Sequence, residues 1–205
     1  MNYWDNLMGD DDGAASYMLS YGEGPGSDTR HMLTAFINDD ESVLDVGCGP
    51  GWNYDHFREH GPIVSYTGVD YSERFVRVAN QRTDNQDLFE LGDCRKLKFA
   101  DNSFDVVILQ DVLEHTNGYK VPIQEALRVA KKRVVMTFWR AMRDDQAGDQ
   151  INDDGDDGYG ATYAKGKLER YLDSLGYFWT QIETNPGANR HHLFYIIDKE
   201  EKHES

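Results

Sequence analysis

VLDVGCGPGW, Val43 to Trp52, is the stretch from which the fold is read. An apolar strand runs into Gly47, Gly49 and Gly51, and a helix starts near Trp52. Glycines let the backbone turn tightly and approach a ligand with no Cβ in the way. The helix start adds unpaired N–H groups and a partial positive charge. Outward from this unit, short apolar runs alternate with helical patterns between Ser42 and Trp139. The strand candidates are Ser42–Val46, Ser65–Asp70, Asp87–Leu91, Asp105–Gln110 and Arg133–Trp139. Several are continuously apolar, as parallel strands covered on both faces are. A helix near Ala164–Leu175, stopped by Gly176, precedes two more strands, Phe178–Glu183 and His191–Asp198. The order of elements is that of an α/β domain.

Two cofactor classes use such a glycine loop. The dinucleotide fingerprint needs a third small residue at position 52, where Trp52 would obstruct the close helix–strand contact. A nicotinamide dehydrogenase therefore stays only as an alternative. The spacing G-x-G-x-G after Asp45 resembles motif I of the class I S-adenosylmethionine-dependent methyltransferases, in the form of the type 11-like domain. GVDYS, Gly68 to Ser72, ends the second strand with Asp70, whose carboxylate can accept both ribose hydroxyls of an adenosine. GDC, Gly92 to Cys94, ends the third, and the resemblance makes Asp93 the adenine contact. FADNSFDVVILQDVLEH, Phe99 to His115, is similar to the family's fourth strand with its flanking loop and helix.

The resemblance implies a doubly wound, Rossmann-like α/β sheet of order 3-2-1-4-5-7-6, with strand seven antiparallel and helices on both faces. It implies S-adenosyl-L-methionine as cofactor, held by Asp45, Gly47, Cys48, Gly49, Gly51, Asp70, Tyr71, Asp93, Cys94 and Gln110. Methyl transfer is an in-line displacement that depends chiefly on alignment and exclusion of water. A general base helps when the acceptor is a hydroxyl or protonated amine. Asp111 and His115, one helical turn apart, are the candidates; many relatives carry His where this chain has Asp111. His191 and His192 begin the last strand and point to opposite faces, so they do not read as a metal pair; a lone one at the strand mouth is a candidate substrate contact.

No metal is expected. Asp111 suits the first ligand position of the magnesium-dependent relatives, but TFWRAM, Thr137 to Met142, supplies no oxygen pair after strand five. The run Asp153–Asp157 does not follow calcium-loop spacing.

The 205 residues divide into an N-terminal cap and lid segment, 1–41, and a methyltransferase domain, 42–205, with an acidic insertion at about 140–163. Tyr17, Tyr21 and His31 lie in the segment that in relatives folds over the cofactor. The insertion, rich in Asp and Gly, reads as a mobile loop. The net charge of −16 argues against a nucleic-acid or anionic-membrane partner. No run is long and apolar enough for a bilayer span, and the acidic start does not read as a signal peptide. A cytoplasmic enzyme, monomer or homodimer, acting on oxygen or nitrogen of a small molecule is the expectation. Alternatives are a protein or RNA methyltransferase, for which Lys131–Arg133 is the tight basic cluster, and a non-catalytic cofactor-binding regulatory subunit.

Overall fold

A computed structural model describes residues 27–83, 87–139, 142, 145–155, 158–184 and 192–202. The chain begins with α1 (Ser27–Leu33) and a 3-10 turn, Thr34–Phe36. It continues through β1 (Ser42–Val46), α2 (Trp52–His60), β2 (Ser65–Asp70), α3 (Glu73–Thr83) and β3 (Phe89–Leu91). Next come β4 (Phe104–Gln110), a 3-10 turn at Leu113–His115, α4 (Lys120–Val129) and β5 (Ala130–Phe138). The remainder is β6 (Gln150–Gly155), β7 (Gly158–Thr162), α5 (Lys165–Ser174), β8 (Tyr177–Glu183) and β9 (Leu193–Lys202).

Seven strands form one sheet in the order β3-β2-β1-β4-β5-β9-β8. The strands from β3 to β5 are mutually parallel, and β9 runs antiparallel to both β5 and β8. With β8 and β9 as the sixth and seventh strands of the sheet, this is the expected order and orientation. Alternate strand residues feed two cores, as the two-residue period requires. Val43, Val106, Ile108, Val135 and Phe194 pack with Leu33 and Ile37 on one face, along with Phe57 of α2 and Ala79 of α3. Leu44, Val46, Val107, Leu109, Met136 and Tyr195 pack on the other, with Ile123 of α4 and Leu168 of α5. The strand order reverses between β1 and β4, which opens a crevice at their carboxyl ends.

The acidic insertion departs from expectation. Its centre is not a loop but an antiparallel hairpin, with Ile151 opposite Ala161 and Asn152 opposite Gly160. Small buried residues, Gly158, Gly160 and Ala161, let β7 lie close to the Leu113–His115 turn. Two of the acids also hold the start of α5, whose N-cap residue, Ala164, makes no capping side-chain bond. Asp149 accepts the Ala164 amide at 2.8 Å, and Asp145 accepts the Gly166 amide at 2.7 Å. These carboxylates satisfy amides that a helix start leaves unpaired. Lys132 and Arg133 likewise serve the fold: Lys132 pairs with Glu41 and Asp105, and Arg133 donates to the Phe36 carbonyl. Among the described residues no helix is long and apolar enough to cross a membrane.

Candidate functional site

The glycine loop is tied to the end of β2. The amides of Gly47 and Cys48 donate to the Val69 carbonyl at 2.7 and 3.1 Å. Asp70 reaches back to clamp the loop, its Oδ2 accepting the Gly49 amide and its Oδ1 the Ser72 amide, both at 2.8 Å. A carboxylate oxygen has two lone pairs, so one that accepts an amide can also accept a ligand hydroxyl. Among the described residues, a Cβ built on Gly49 would meet nothing within 4 Å, so the loop faces open space between them there. At Gly51 it would stand 2.7 Å from the Phe89 ring, and at Gly68 2.4 Å from the same ring. The close approach that Trp52 seemed to forbid is thus made one residue earlier, around Phe89. Gly68 is a structural requirement visible in the sequence only as the first residue of GVDYS. Trp52 itself lies between two guanidinium groups, Arg30 at 5.9 Å and Arg82 at 5.1 Å from the ring centroid.

Asp45 lies beneath the loop, 1% exposed. Its Oδ2 accepts from the Tyr66 hydroxyl at 2.6 Å and from Asn53 Nδ2 at 3.1 Å. Its Oδ1 has no hydrogen-bond partner among the described residues. Burial pushes its pKa up to about 6, against the two hydrogen bonds and with help from the Asp70 charge. An unsatisfied buried carboxylate oxygen at a ligand loop suits a cationic or N–H-bearing ligand group. Cys48 is buried and its thiol is pushed well above its ordinary pKa by burial.

Asp93 follows β3 and is engaged by its own turn. Arg95 donates to it from Nε at 2.9 Å and from Nη2 at 2.9 Å, and the Arg95 amide adds a bond at 2.8 Å. Burial acts to raise the carboxyl, but these bonds outweigh it and hold the carboxyl below its ordinary value. The Arg95 guanidinium also lies 5.8 Å from the centroid of the Tyr71 ring. Arg95 was not legible as a site residue; the only signal is its place two positions after Asp93 in the DCRK turn. Cys94, beside it, has its thiol pushed up to about 12 by burial. Gln110, at the end of β4, is partly buried opposite Thr137.

After β4 the structure corrects the expected helix. Asp111 stands outside any helix with φ +56°, and only Leu113–His115 forms a 3-10 turn. Asp111 and His115 therefore do not share a helix face. The His115 ring meets the β7 backbone, with Nδ1 3.4 Å from the Tyr159 carbonyl. Asp111 turns to β5 and β9: Thr137 donates its hydroxyl to Oδ1 at 2.6 Å, and His192 Nε2 lies 3.6 Å from Oδ2. Arg30 of α1 is 7% exposed; burial lowers its pKa, opposed by the charges of Asp111 and Asp55. Arg30 and Thr137 were not foreseen, since their place depends on how α1 and β5 meet at the crevice.

His31 is on the exposed side of α1, its ring edge-on to His56 at 5.8 Å. Tyr17, Tyr21 and His191 lie outside the described residues. Among the described residues no group of three or more His, Cys, Asp or Glu is arranged to hold a metal ion.

Residues 44–138 match a family model described as a methyltransferase domain. A demethylmenaquinone methyltransferase of Staphylococcus aureus is 37% identical over 105 residues, 50% of this chain and 44% of that protein. The chain thus spans less than half the length of that curated relative. Among solved structures, Haemonchus contortus phosphoethanolamine N-methyltransferase 2, in complex with S-adenosyl-L-methionine, superposes with TM-score 0.74 at 15% identity, over 96% of this chain and 59% of that one. The Burkholderia thailandensis 1,6-didemethyltoxoflavin-N1-methyltransferase, with bound 1,6-didemethyltoxoflavin and S-adenosylhomocysteine, gives 0.66 at 18% identity, over 96% and 86%.

Proposed function

From a chain that carries a class I methyltransferase domain at residues 44–138, we propose an S-adenosylmethionine-dependent methyltransferase acting on oxygen or nitrogen of a small molecule. One observation carries the reading: at the switch point, Asp70 clamps a glycine loop whose Gly49 faces open space, with the unsatisfied Oδ1 of Asp45 beneath it. These residues fit the group. Asp70 would receive the ribose hydroxyls, Asp45 the ammonium side of the methionine portion, and Asp93 with Arg95 and Tyr71 would border the adenine. The bound cofactor supplies a methyl group on a cationic sulfur. The chain's own work is to align an acceptor with it and to exclude water.

A small-molecule acceptor is supported by the toxoflavin relative and by a net charge of −16, which opposes a polyanionic substrate. Metal-independent transfer is supported by the end of β5 and the residue after it: Thr137 spends its hydroxyl on Asp111, and Phe138 and Trp139 offer no side-chain oxygen. Acid–base work falls to side chains at the crevice end of β4, where Asp111 lies, with His115 set against the Tyr159 carbonyl of β7. Incubation with methyl-labelled S-adenosylmethionine and a panel of alcohols, phenols and amines tests the reading. It predicts S-adenosylhomocysteine together with a labelled acceptor; persistent absence of both sinks it.

A further inference from the structure

His192 is the first described residue of the segment entering β9, and its backbone is fixed. Its amide donates to Thr184 Oγ1 at 3.0 Å, and its carbonyl accepts the Thr184 amide at 2.9 Å. Two residues before Phe194, it belongs by strand alternation to the face on which α1 packs. Its side chain is only 12% exposed, and Nε2 is 3.6 Å from Asp111 Oδ2. The other oxygen of Asp111 takes the Thr137 hydroxyl at 2.6 Å, and the Asp111 amide donates back to that hydroxyl at 3.1 Å. Three strands, β4, β5 and β9, thus meet at one carboxylate. Asp111 holds φ +56°, a conformation that a non-glycine residue rarely adopts and that persists where surroundings enforce it, often at functional sites.

Resting on the methyltransferase reading above, we propose that His192 is the general base of the methyl transfer and that Asp111, anchored by Thr137, is its positioning residue. The division of roles follows from the contacts. One oxygen of Asp111 is committed to Thr137 and the other faces the imidazole, so the carboxylate orients rather than receives. Imidazole is the side chain suited to gain and lose a proton near neutral pH. With Asp111 beside Nε2, the neutral ring carries its proton there and keeps the Nδ1 lone pair for the acceptor. The separation of 3.6 Å exceeds a hydrogen bond, and catalytic contacts in unliganded sites often tighten only in the complex. In the step itself, the acceptor oxygen or nitrogen bonds to the methyl carbon as the carbon–sulfur bond breaks. That bond's electron pair stays on sulfur, and the acceptor's proton passes to His192. The inference narrows the acceptor to a group with a proton to lose.

The test uses the full chain labelled with 15N-histidine, the His192 signals being assigned by their loss in His192→Gln. Neutral His192 is expected as the Nε2–H tautomer, with that bias lost in Asp111→Asn and reduced in Thr137→Val. On an acceptor drawn from the alcohol, phenol and amine panel, His192→Gln is expected to lower kcat about 100- to 10,000-fold. KM and S-adenosylhomocysteine affinity should stay within about threefold of the parent, a split that mere loss of structure does not give. An Nδ1–H tautomer, or one indifferent to Asp111→Asn, overturns the pairing. His192→Gln turnover within about threefold of the parent overturns the base. So does a parent protein that binds S-adenosylhomocysteine yet methylates nothing on the panel. Failure to bind S-adenosylhomocysteine at all is a different result: it removes the methyltransferase reading, whatever the tautomer.

Discussion

Two alanine substitutions two residues apart, at Gly47 and Gly49, should separate folding from binding at the glycine loop. Gly47 and Gly49 both have positive φ, +73° and +52°, so alanine at either carries a left-handed penalty of about 1–2 kcal/mol. At Gly49 nothing else is added, because its Cβ would meet no atom of the described residues within 4 Å. At Gly47 the new Cβ would fall 2.4 Å from Val112 Cγ2, which adds an overpacking cost of about 1–3 kcal/mol. A chain of this size loses about 2–4 °C in Tm per kcal/mol. Gly49→Ala is therefore expected to lower Tm by about 2–8 °C, and Gly47→Ala by roughly 4–20 °C. Binding should separate the two sites from the other direction. In Gly49→Ala the methyl group occupies ligand space, and the S-adenosylhomocysteine Kd should rise about 10- to 100-fold, or about 1.4–2.8 kcal/mol. Calorimetry for unfolding and for ligand titration reads both quantities on the same samples. Parental affinity in a folded Gly49→Ala protein would refute the assignment of that open space to the cofactor.

Asp45 supplies a pH signature. Its folded carboxyl, pushed up from 3.8 to about 6, binds a proton more tightly than in the unfolded chain. Its contribution to stability is therefore fully present below about pH 4 and is lost as pH rises to about 6, a change of about 3 kcal/mol. Asp45→Asn should remove that decline and raise the unliganded Tm at pH 7 while weakening S-adenosylhomocysteine; parallel Tm–pH curves for the two proteins would contradict this. The Tyr163 hydroxyl donates to the Leu113 carbonyl at 2.7 Å and contacts the Thr116 carbonyl at 3.1 Å, so Tyr163→Phe leaves buried acceptors short and should cost about 1–3 kcal/mol by denaturant unfolding. Asp149→Ala should cost about 1 kcal/mol through the lost amide bond at the start of α5, with S-adenosylhomocysteine affinity unchanged. A neutral effect on stability would show that this carboxylate does not cap the helix.

The parts of the fold legible in the sequence were those that local pattern controls. β1 and β4 stood out because strands buried on both faces are mostly apolar, and the glycine loop because its turn tolerates little else. The hairpin was missed because Asp and Gly dominate it, and its β character comes from packing of small residues against the turn after β4. The capping roles of Asp145 and Asp149 depend on partners that are distant in sequence, so no local rule exposes them. Expecting Asp111 and His115 on one helix followed from their spacing; the left-handed Asp111 breaks that spacing, and no glycine there signals the turn. His192 gained its significance from register. Pairing Leu193 with Phe138 brings the start of β9 beside the end of β5, and so opposite Asp111.

Titration of S-adenosylhomocysteine into the full chain by calorimetry tests the central claim most directly. The account predicts saturable binding of one ligand per chain, weakened in Gly49→Ala and Asp70→Ala and preserved in Asp149→Ala. No binding heat across a range of temperatures, or saturable binding of a nicotinamide dinucleotide in its place, would contradict it.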